Sequence, residues 1–321
     1  MKKLTIGIDI GGTNTKYGIV DREGNVYFQS RIKSTGHKDF NDFIDSLEAA
    51  IRKAIAELDG DIEIVGIGVG APNGNYYTGT VENAPNLPWK EAIPLKKILN
   101  KKFNIPVVVT NDANAAAIGE MIYGGAKDMK DFIVITLGTG LGSGIVANGH
   151  LINGHDGYAG ELGHVIVNHN GRLCGCGRNG CLETYVSATG IRRTVYKLLA
   201  DDLTESVLRD ISFNNLSTTM ISDAALKGDP IALKAFEYTG MILGRKLADT
   251  VVHTSPEAFF IFGGLAKAGD LIIEPTKRHL ENNLMSFYKN KVKILPSGLE
   301  DEGAPILGAS SLVWKELESV K

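Results

Sequence analysis

The chain has 321 residues, 43% of them hydrophobic and 22% charged, with a formal net charge of -3. That length suits roughly two domains with large buried cores, and the near-balanced charge lacks the basic footprint that nucleic acid or an anionic membrane requires. The opening "MKKLTIGIDIGG" carries a basic pair, but its apolar run breaks at Asp9 and Gly11 before a signal-peptide core could form, and no stretch approaches the ~20 apolar residues of a membrane span. These exclusions lead to the expectation of a cytosolic protein with reduced cysteines and a small partner.

The first predicted element is a hairpin: "LTIGIDI", a turn, and a second strand through Gly18, Ile19 and Val20. Its turn lies in "DIGGTNTK", Asp9 to Lys16, where glycines let backbone N–H groups approach phosphate oxygens and Thr13 and Thr15 add hydroxyl donors. An ordinary Gly-rich hairpin is the plainer reading, and no Walker A pattern is present. In "DFNDFIDSLEAAIRKAIAELDG", Phe40, Phe43, Ile44, Leu47, Ile51, Ile55 and Leu58 recur at helical spacing, with Gly60 as the predicted stop. "IEIVGIGVGAP" reads as a buried strand running into a turn. "PVVVTNDANAAAIGEMIYGG" reads as a strand, a polar turn and an alanine-rich helix. Asn111 and Asp112 thereby stand at a strand's C-terminal end, where open α/β folds bind ligands. Asp112 is a candidate general base; capping the helix is the structural alternative, and the two roles are compatible.

A second hairpin follows "FIVITL", with its turn in "LGTGLGSG". Gly12, Thr13, Gly18, Ile19 and Val20 read GTxxxxGIV, and Gly138, Thr139, Gly144, Ile145 and Val146 repeat that pattern 126 residues later. A chain of two related halves is expected, with two Gly/Thr turns gripping a polyphosphate from both sides across a central cleft. All three cysteines lie in "CGCGRNGC", with His164 ten residues and His169 five residues before Cys174. Three thiolates and one imidazole suit tetrahedral zinc, and Gly175, Gly177 and Gly180 let so short a loop close on an ion. A Cys174–Cys181 disulfide or three inert thiols are the alternatives, and spacing does not choose between the histidines. "EAFFIFGGLAKAGDLIIEPTKRHL" then reads as a strand, Gly263 and Gly264, and a helix, and "GAPILGASSLVWKEL" as a final helix.

Taken in order, "IGIDIGGTNTK", "NDANAAA", "GELGH" and "CGCGRNGCLET" resemble the ROK family, the sugar kinases and sugar-responsive repressors of the actin-like ATPase superfamily. With "NAPNLPW" and "CLETYVSATGI", the resemblance is greatest to the family's bacterial glucokinases. It implies an α/β fold of two related actin-like, ribonuclease H-like domains with a central cleft and a small zinc-bound loop. The N-terminal domain would span 1–123, with a last helix over 305–321 packing back on it. The C-terminal domain would span 124–304 and hold the zinc motif 164–181. The implied activity is transfer of the γ-phosphoryl group of ATP to the 6-hydroxyl of a hexose, glucose first, with Mg²⁺ and a structural Zn²⁺. The implied ATP contacts are Asp9, Gly11, Gly12, Thr13, Gly138, Thr139, Gly140, Gly263 and Gly264. Asp112 would be the catalytic base, with Asn73, Asn111, Glu161, His164 and Glu183 also on the sugar. Zinc would be held by His164, Cys174, Cys176 and Cys181, which sets His169 aside.

Two rivals accompany this reading. An N-acetylglucosamine or N-acetylmannosamine kinase would share the same motifs. A sugar-responsive repressor would add a helix-turn-helix domain of several dozen residues and a basic face, whereas here the first strand begins at about Leu4 and the net charge is -3. The resemblance further implies a homo-oligomer, dimer or tetramer, without a nucleic-acid or membrane partner.

Overall fold

The computed structural model describes residues 1–84, 86–299 and 303–319. Expectations that touch Pro85 of "NAPNLPW", residues 300–302, or the last two residues of the 305–321 helix lie outside the described residues.

The first half contains β1 (Lys2–Ile10), β2 (Asn14–Asp21), β3 (Val26–Lys33), α1 (Phe40–Ala56), β4 (Ile62–Gly70), α2 (Leu95–Phe103), β5 (Val107–Thr110) and α3 (Asp112–Ile122). The second contains β6 (Phe132–Leu137), β7 (Leu141–Ala147), β8 (His150–Leu151), α4 (Ala188–Asp201), α5 (Thr218–Leu226), α6 (Pro230–Thr254), β9 (Ala258–Phe262), α7 (Asp270–Asn283), β10 (Lys293–Pro296) and α8 (Ala304–Ser319). Helix α1 carries the predicted apolar stripe but ends at Ala56, four residues before Gly60, with Leu58 packed half-buried beyond its end.

The strands form two five-stranded sheets, β3-β2-β1-β4-β5 and β10-β9-β6-β7-β8. Each has an antiparallel hairpin whose first strand runs parallel to a later strand, so the two orders are the same when the second is read from β8. The duplication is therefore structural, and the fold is a doubled α/β unit. Its hairpins differ in one respect. Ile10 pairs with Thr15 across a four-residue turn, and Leu137 with Leu141 across a three-residue turn. The 126-residue offset consequently holds for β2 and β7 but is one short for β1 and β6, and Asp9 of β1 corresponds to Thr136 of β6. Only the first hairpin presents a carboxylate at that place.

The two halves exchange their last helices. Helix α3 lies against β6 and β7 of the second sheet, while α8 lies against β1 and β4 of the first and crosses α3. Period-two alternation supplies the matching faces. In β1, Leu4, Ile6, Ile8 and Ile10 join the core beneath α1 and α2, while Thr5 turns to α8, with its hydroxyl 2.7 Å from that of Ser310. In β6, Ile133, Ile135 and Leu137 join the core of α4, α6 and α7, while Phe132 and Val134 pack with Ala117 of α3. The exchanged helices crowd the repeated glycine of GTxxxxGIV in both halves: a Cβ on Gly18 would fall 2.6 Å from the Phe28 carbonyl of β3 and 2.8 Å from the Ile306 side chain of α8, and one on Gly144 would fall 2.6 Å from the Ala113 carbonyl of α3. The contact is tightest at Gly68 of β4, where a Cβ would stand 1.8 Å from the Ala309 carbonyl. No helix among the described residues is long and apolar enough to cross a membrane.

Candidate active site

Asp9 follows Thr5 and Gly7 on the β1 face turned toward the exchanged helices, and it emerges half-buried where β1 ends. Across the hairpin it pairs with Lys16. Burial is the main cause that raises the Asp9 carboxyl to about 7; the Asp112 charge pushes the same way and Lys16 partly offsets both. A Cβ on Gly70, the last residue of β4, would lie 3.5 Å from Asp112 Cα and 3.9 Å from Asp9 Oδ1, so the ends of β1, β4 and β5 bring these two carboxylates to one floor.

The β5–α3 junction assigns the capping role differently from the sequence-based alternative. Asn111 is the N-cap, with its Oδ1 accepting from Ala113 N–H at 2.8 Å, and Asp112 is the first helical residue, its Oδ1 2.9 Å from the same N–H. Asp112 is open to solvent yet ringed by the atoms of the cleft floor, and that crowding raises its carboxyl above the ordinary range against the pull of the backbone hydrogen bonds. Glu161 is raised by burial in the cleft wall and by the Asp112 and Glu183 charges, which outweigh His164. The catalytic and sugar-side carboxylates thus share one electrostatic environment.

The two Gly/Thr turns border this floor. Gly11 N–H donates to the Asn14 carbonyl and Gly138 N–H to the Gly140 carbonyl, closing turns whose Thr13 and Thr139 side chains are exposed. Thr15 departs from the expected donor role: it is fully buried, and its hydroxyl lies 2.9 Å from that of Ser34. It sits inside β2, one residue past the turn, where the pleat points it inward. A Cβ on Gly12 would meet the Asn86 carbonyl at 2.5 Å, and one on Gly140 would meet Glu183 Oε2 at 2.6 Å, so the second turn touches a sugar-side glutamate. A Cβ on Gly263, which has φ +102, would meet the Leu137 carbonyl at 2.8 Å beside that turn, whereas Gly264 faces open space.

The cysteine loop hangs on the same wall. The ligand atoms of His164, Cys174, Cys176 and Cys181 all lie within 4.8 Å of one another, and among the described residues no other such group of histidine, cysteine or carboxylate side chains occurs. His169 is exposed and outside it. All three thiols are free, with Cys176 and Cys181 sulfurs 3.6 Å apart. Of the three glycines expected to shape the loop, Gly177 and Gly180 have φ of +87 and +79, and a Cβ on Gly180 would strike the Asn168 carbonyl at 1.7 Å. Gly175 has neither constraint. Burial works against ionisation of Cys176, but hydrogen bonds from the Arg178 backbone and guanidinium and from the other two thiols bring it down to about 6. His164 Nδ1 faces this cluster, 3.6 Å from Cys174 Sγ, while Nε2 lies 3.9 Å from Glu161. Glu183 Oε1 accepts from the Cys174 thiol at 2.9 Å. Arg172 ties the loop down: its guanidinium donates to the Thr184 and Gly190 carbonyls and stacks on the Tyr185 ring, 4.4 Å from the centroid.

Asn73 lies in the segment after β4, in a left-handed conformation with φ 54, and its Nδ2 donates to the Glu82 carbonyl at 2.9 Å. The sequence reading passed over Lys16, although "DIGGTNTK" contains it and hairpin pairing sets it opposite Asp9. It also passed over Asn75, which has no local signal beyond its neighbour Gly74.

Two equal sheets that exchange their final helices around a floor of carboxylates, with a glycine turn on each side, define a duplicated two-lobed α/β sugar-kinase type of fold. The chain belongs to the ROK family, whose sequence profile matches residues 5–316. It is 36% identical to a glucokinase of Streptomyces coelicolor over 315 residues, 96% of this chain and 97% of that one. It is 34% identical, with a TM-score of 0.80, to the crystal structure of a ROK family glucokinase from Streptomyces griseus in complex with glucose and AMPPNP, covering 97% of this chain and 99% of that one. A xylose repressor of Caldicellulosiruptor bescii is 30% identical over 98% of this chain and 79% of its own length.

Proposed function

We propose that the protein is an ATP-dependent glucokinase that phosphorylates the 6-hydroxyl of glucose. The observation that carries this reading is the convergence of Asp9, Asp112, Glu161, His164 and Glu183 on one cleft floor and wall, bordered by both glycine turns. Relatives named glucokinases, matched end to end at higher identity than the xylose repressor, support the same activity.

A hexose presents a ring of hydroxyls, each needing an oriented partner, and an unpaired polar group in a closed cleft costs about 1–3 kcal/mol. Glu161 and Glu183 supply acceptors, His164 supplies an Nε2–H donor when its Nδ1 holds the metal, and Asn111 supplies an amide whose oxygen is already fixed by the Ala113 N–H. Asp112 accepts the proton of the 6-hydroxyl as its oxygen forms a bond to the γ-phosphorus. The bond from γ-phosphorus to the bridging oxygen breaks, and ADP leaves with that oxygen. A carboxylate raised above its ordinary range is a better base near neutral pH than an unperturbed one. The N–H groups of Gly11 and Gly138 close the two turns, which bring the backbone of Gly12 and Gly140 and the hydroxyls of Thr13 and Thr139 to the phosphates, with Gly263 and Gly264 on the adenosine side.

Two mutually repelling carboxylates, Asp9 and Asp112, are a donor set suited to a hard divalent cation. Mg²⁺ bound there would neutralise the phosphates of ATP. Three thiols and an imidazole of matching reach fit zinc, held by His164, Cys174, Cys176 and Cys181. Four protein ligands leave no open position, so the ion would stiffen the loop between Glu161 and Glu183 and hold His164 with Nε2 toward the sugar. We propose a cytoplasmic location, which a cysteine cluster suited to a metal rather than to a disulfide supports. We also propose the two-domain division at 123/124, with residues from 305 onward returning to the first domain, and a homo-oligomeric state.

A coupled ADP-release assay over glucose, mannose, N-acetylglucosamine, N-acetylmannosamine, fructose and allose tests the reading. The highest kcat/KM is expected for glucose; preference for an N-acetylhexosamine would replace it with the rival kinase.

A further inference from the structure

The segment after β4 reaches across the cleft to the loop that leads into Glu161. Asn75 is 2% exposed and fully engaged: Oδ1 accepts from Tyr77 and Thr78 N–H at 3.0 and 3.2 Å, and Nδ2 donates to the Asp156 carbonyl at 2.7 Å. Gly157, with φ +89, lets the loop settle on this amide, since a Cβ there would lie 2.6 Å from Asn75 Oδ1. Two further bonds run alongside: Tyr77 Oη donates to the Gly154 carbonyl and Tyr158 Oη to Glu82 Oε2, each at 2.9 Å. Glu82 is steadied by Thr80, whose hydroxyl donates to Oε1 at 2.6 Å. All three ties join the first half to the second.

Beyond the loop, Ser143 of β7 holds the residues on both sides of the glutamate. Its hydroxyl donates to the Gly160 carbonyl and accepts from Leu162 N–H. Glu161 is therefore strung between an anchor in its own sheet and ties to the opposite half. We infer that Asn75 and Tyr158 are positioning residues for the sugar-binding carboxylate Glu161, so that affinity for the hexose depends on the two halves being held together at this strap. The inference rests on the reading of Glu161 as a sugar ligand.

The test is steady-state kinetics on the full-length, zinc-loaded enzyme. Tyr158→Phe removes one hydroxyl and leaves the ring, and Glu82→Gln weakens the same bond from the other side. Each is expected to raise KM for glucose about three- to ten-fold, the size of one lost hydrogen bond, with KM for ATP within about two-fold and the melting temperature within about two degrees. The double variant should be no worse than the single ones, and Tyr158→Phe should add nothing in a Glu161→Gln background. Asn75→Ala is expected to have a larger effect; because it also removes two bonds within the segment, Tyr158→Phe decides the matter. Equal rises in both KM values, or an unchanged glucose KM in Tyr158→Phe while Glu161→Gln raises it, would overturn the positioning role alone. An unchanged glucose KM in Glu161→Gln would instead remove the underlying reading.

Discussion

Replacing Asp9 by asparagine separates stability from function at the cleft floor. Its carboxyl, raised by burial to about 7, retains its proton in the folded chain over a pH range where the unfolded chain has released it. The folded state therefore binds more protons between about pH 4 and 7, and stability falls as pH rises through that window. With about 1.4 kcal/mol for each pH unit spanned, the ionised carboxylate costs about 4 kcal/mol at pH 8 and under about 2 kcal/mol at pH 5, before solvent screening at a half-buried site reduces both. Asp9→Asn keeps the shape and removes this cost. It should stabilise the protein more at pH 8 than at pH 5 by roughly 2 kcal/mol, while abolishing turnover with Mg-ATP. The attraction of Lys16 for the ionised carboxylate is already contained in the value of about 7, so it is not subtracted a second time. Urea unfolding of both proteins at the two pH values, without magnesium or nucleotide, measures it. The same stability change at both pH values, or no gain at pH 8, would show that Asp9 is not held near neutrality by its surroundings. The wild-type profile of kcat/KM for Mg-ATP should show its acid limb near pH 7 rather than near 4; a flat profile down to pH 5 refutes the same point.

Asp112→Asn should retain glucose binding by calorimetry within a few-fold and lose about 10²- to 10⁴-fold in kcat, and turnover close to wild type removes Asp112 from proton transfer. Metal analysis should find one zinc per chain, and Cys176→Ser should lower both zinc content and glucose affinity while KM for ATP stays within about two-fold; undiminished glucose affinity in zinc-free protein breaks the link between the loop and the sugar. Gly68→Ala should destabilise by about 3 kcal/mol or more, because its Cβ would stand 1.8 Å from the Ala309 carbonyl and only a backbone shift can relieve it. At Gly36, with φ +88 and no atom within 4 Å, alanine should cost about 1 kcal/mol, and equal losses at both sites would discredit the close seating of α8 on the first sheet.

The parts of the site legible in the sequence are those whose chemistry is local. A glycine turn offers backbone donors within four residues, a thiol cluster closes a loop within eight, and a carboxylate after a buried strand stands at the strand's C-terminal end whatever else the chain does. Asp112, the Gly/Thr turns and the three-cysteine loop could therefore be read directly, while Asp9 and the choice of His164 over His169 came from the family resemblance. Helix α6, 25 residues long, drew no prediction because it is packed on several sides and shows no narrow apolar stripe.

Tertiary structure alone decided the features that depend on what lies opposite. Gly18 and Gly144 look like part of a phosphate motif in the sequence, yet both lie against an exchanged helix from the other half, and Gly18 is pressed by the Phe28 carbonyl of β3 as well. Thr15 and Thr13 are chemically alike, but the pleat buries one and exposes the other. Asn111 rather than Asp112 caps α3, a choice made by one pair of backbone angles. The ties from Asn75, Tyr77 and Tyr158 join residues about 75 to 80 positions apart, and the raised carboxyl of Asp9 reflects a wall built from three strand ends and the nearby Asp112. Chain chemistry determined which groups the site contains; the exchange of helices between the two sheets decided which of them meet, because proximity and burial are set by long-range packing that no local pattern encodes.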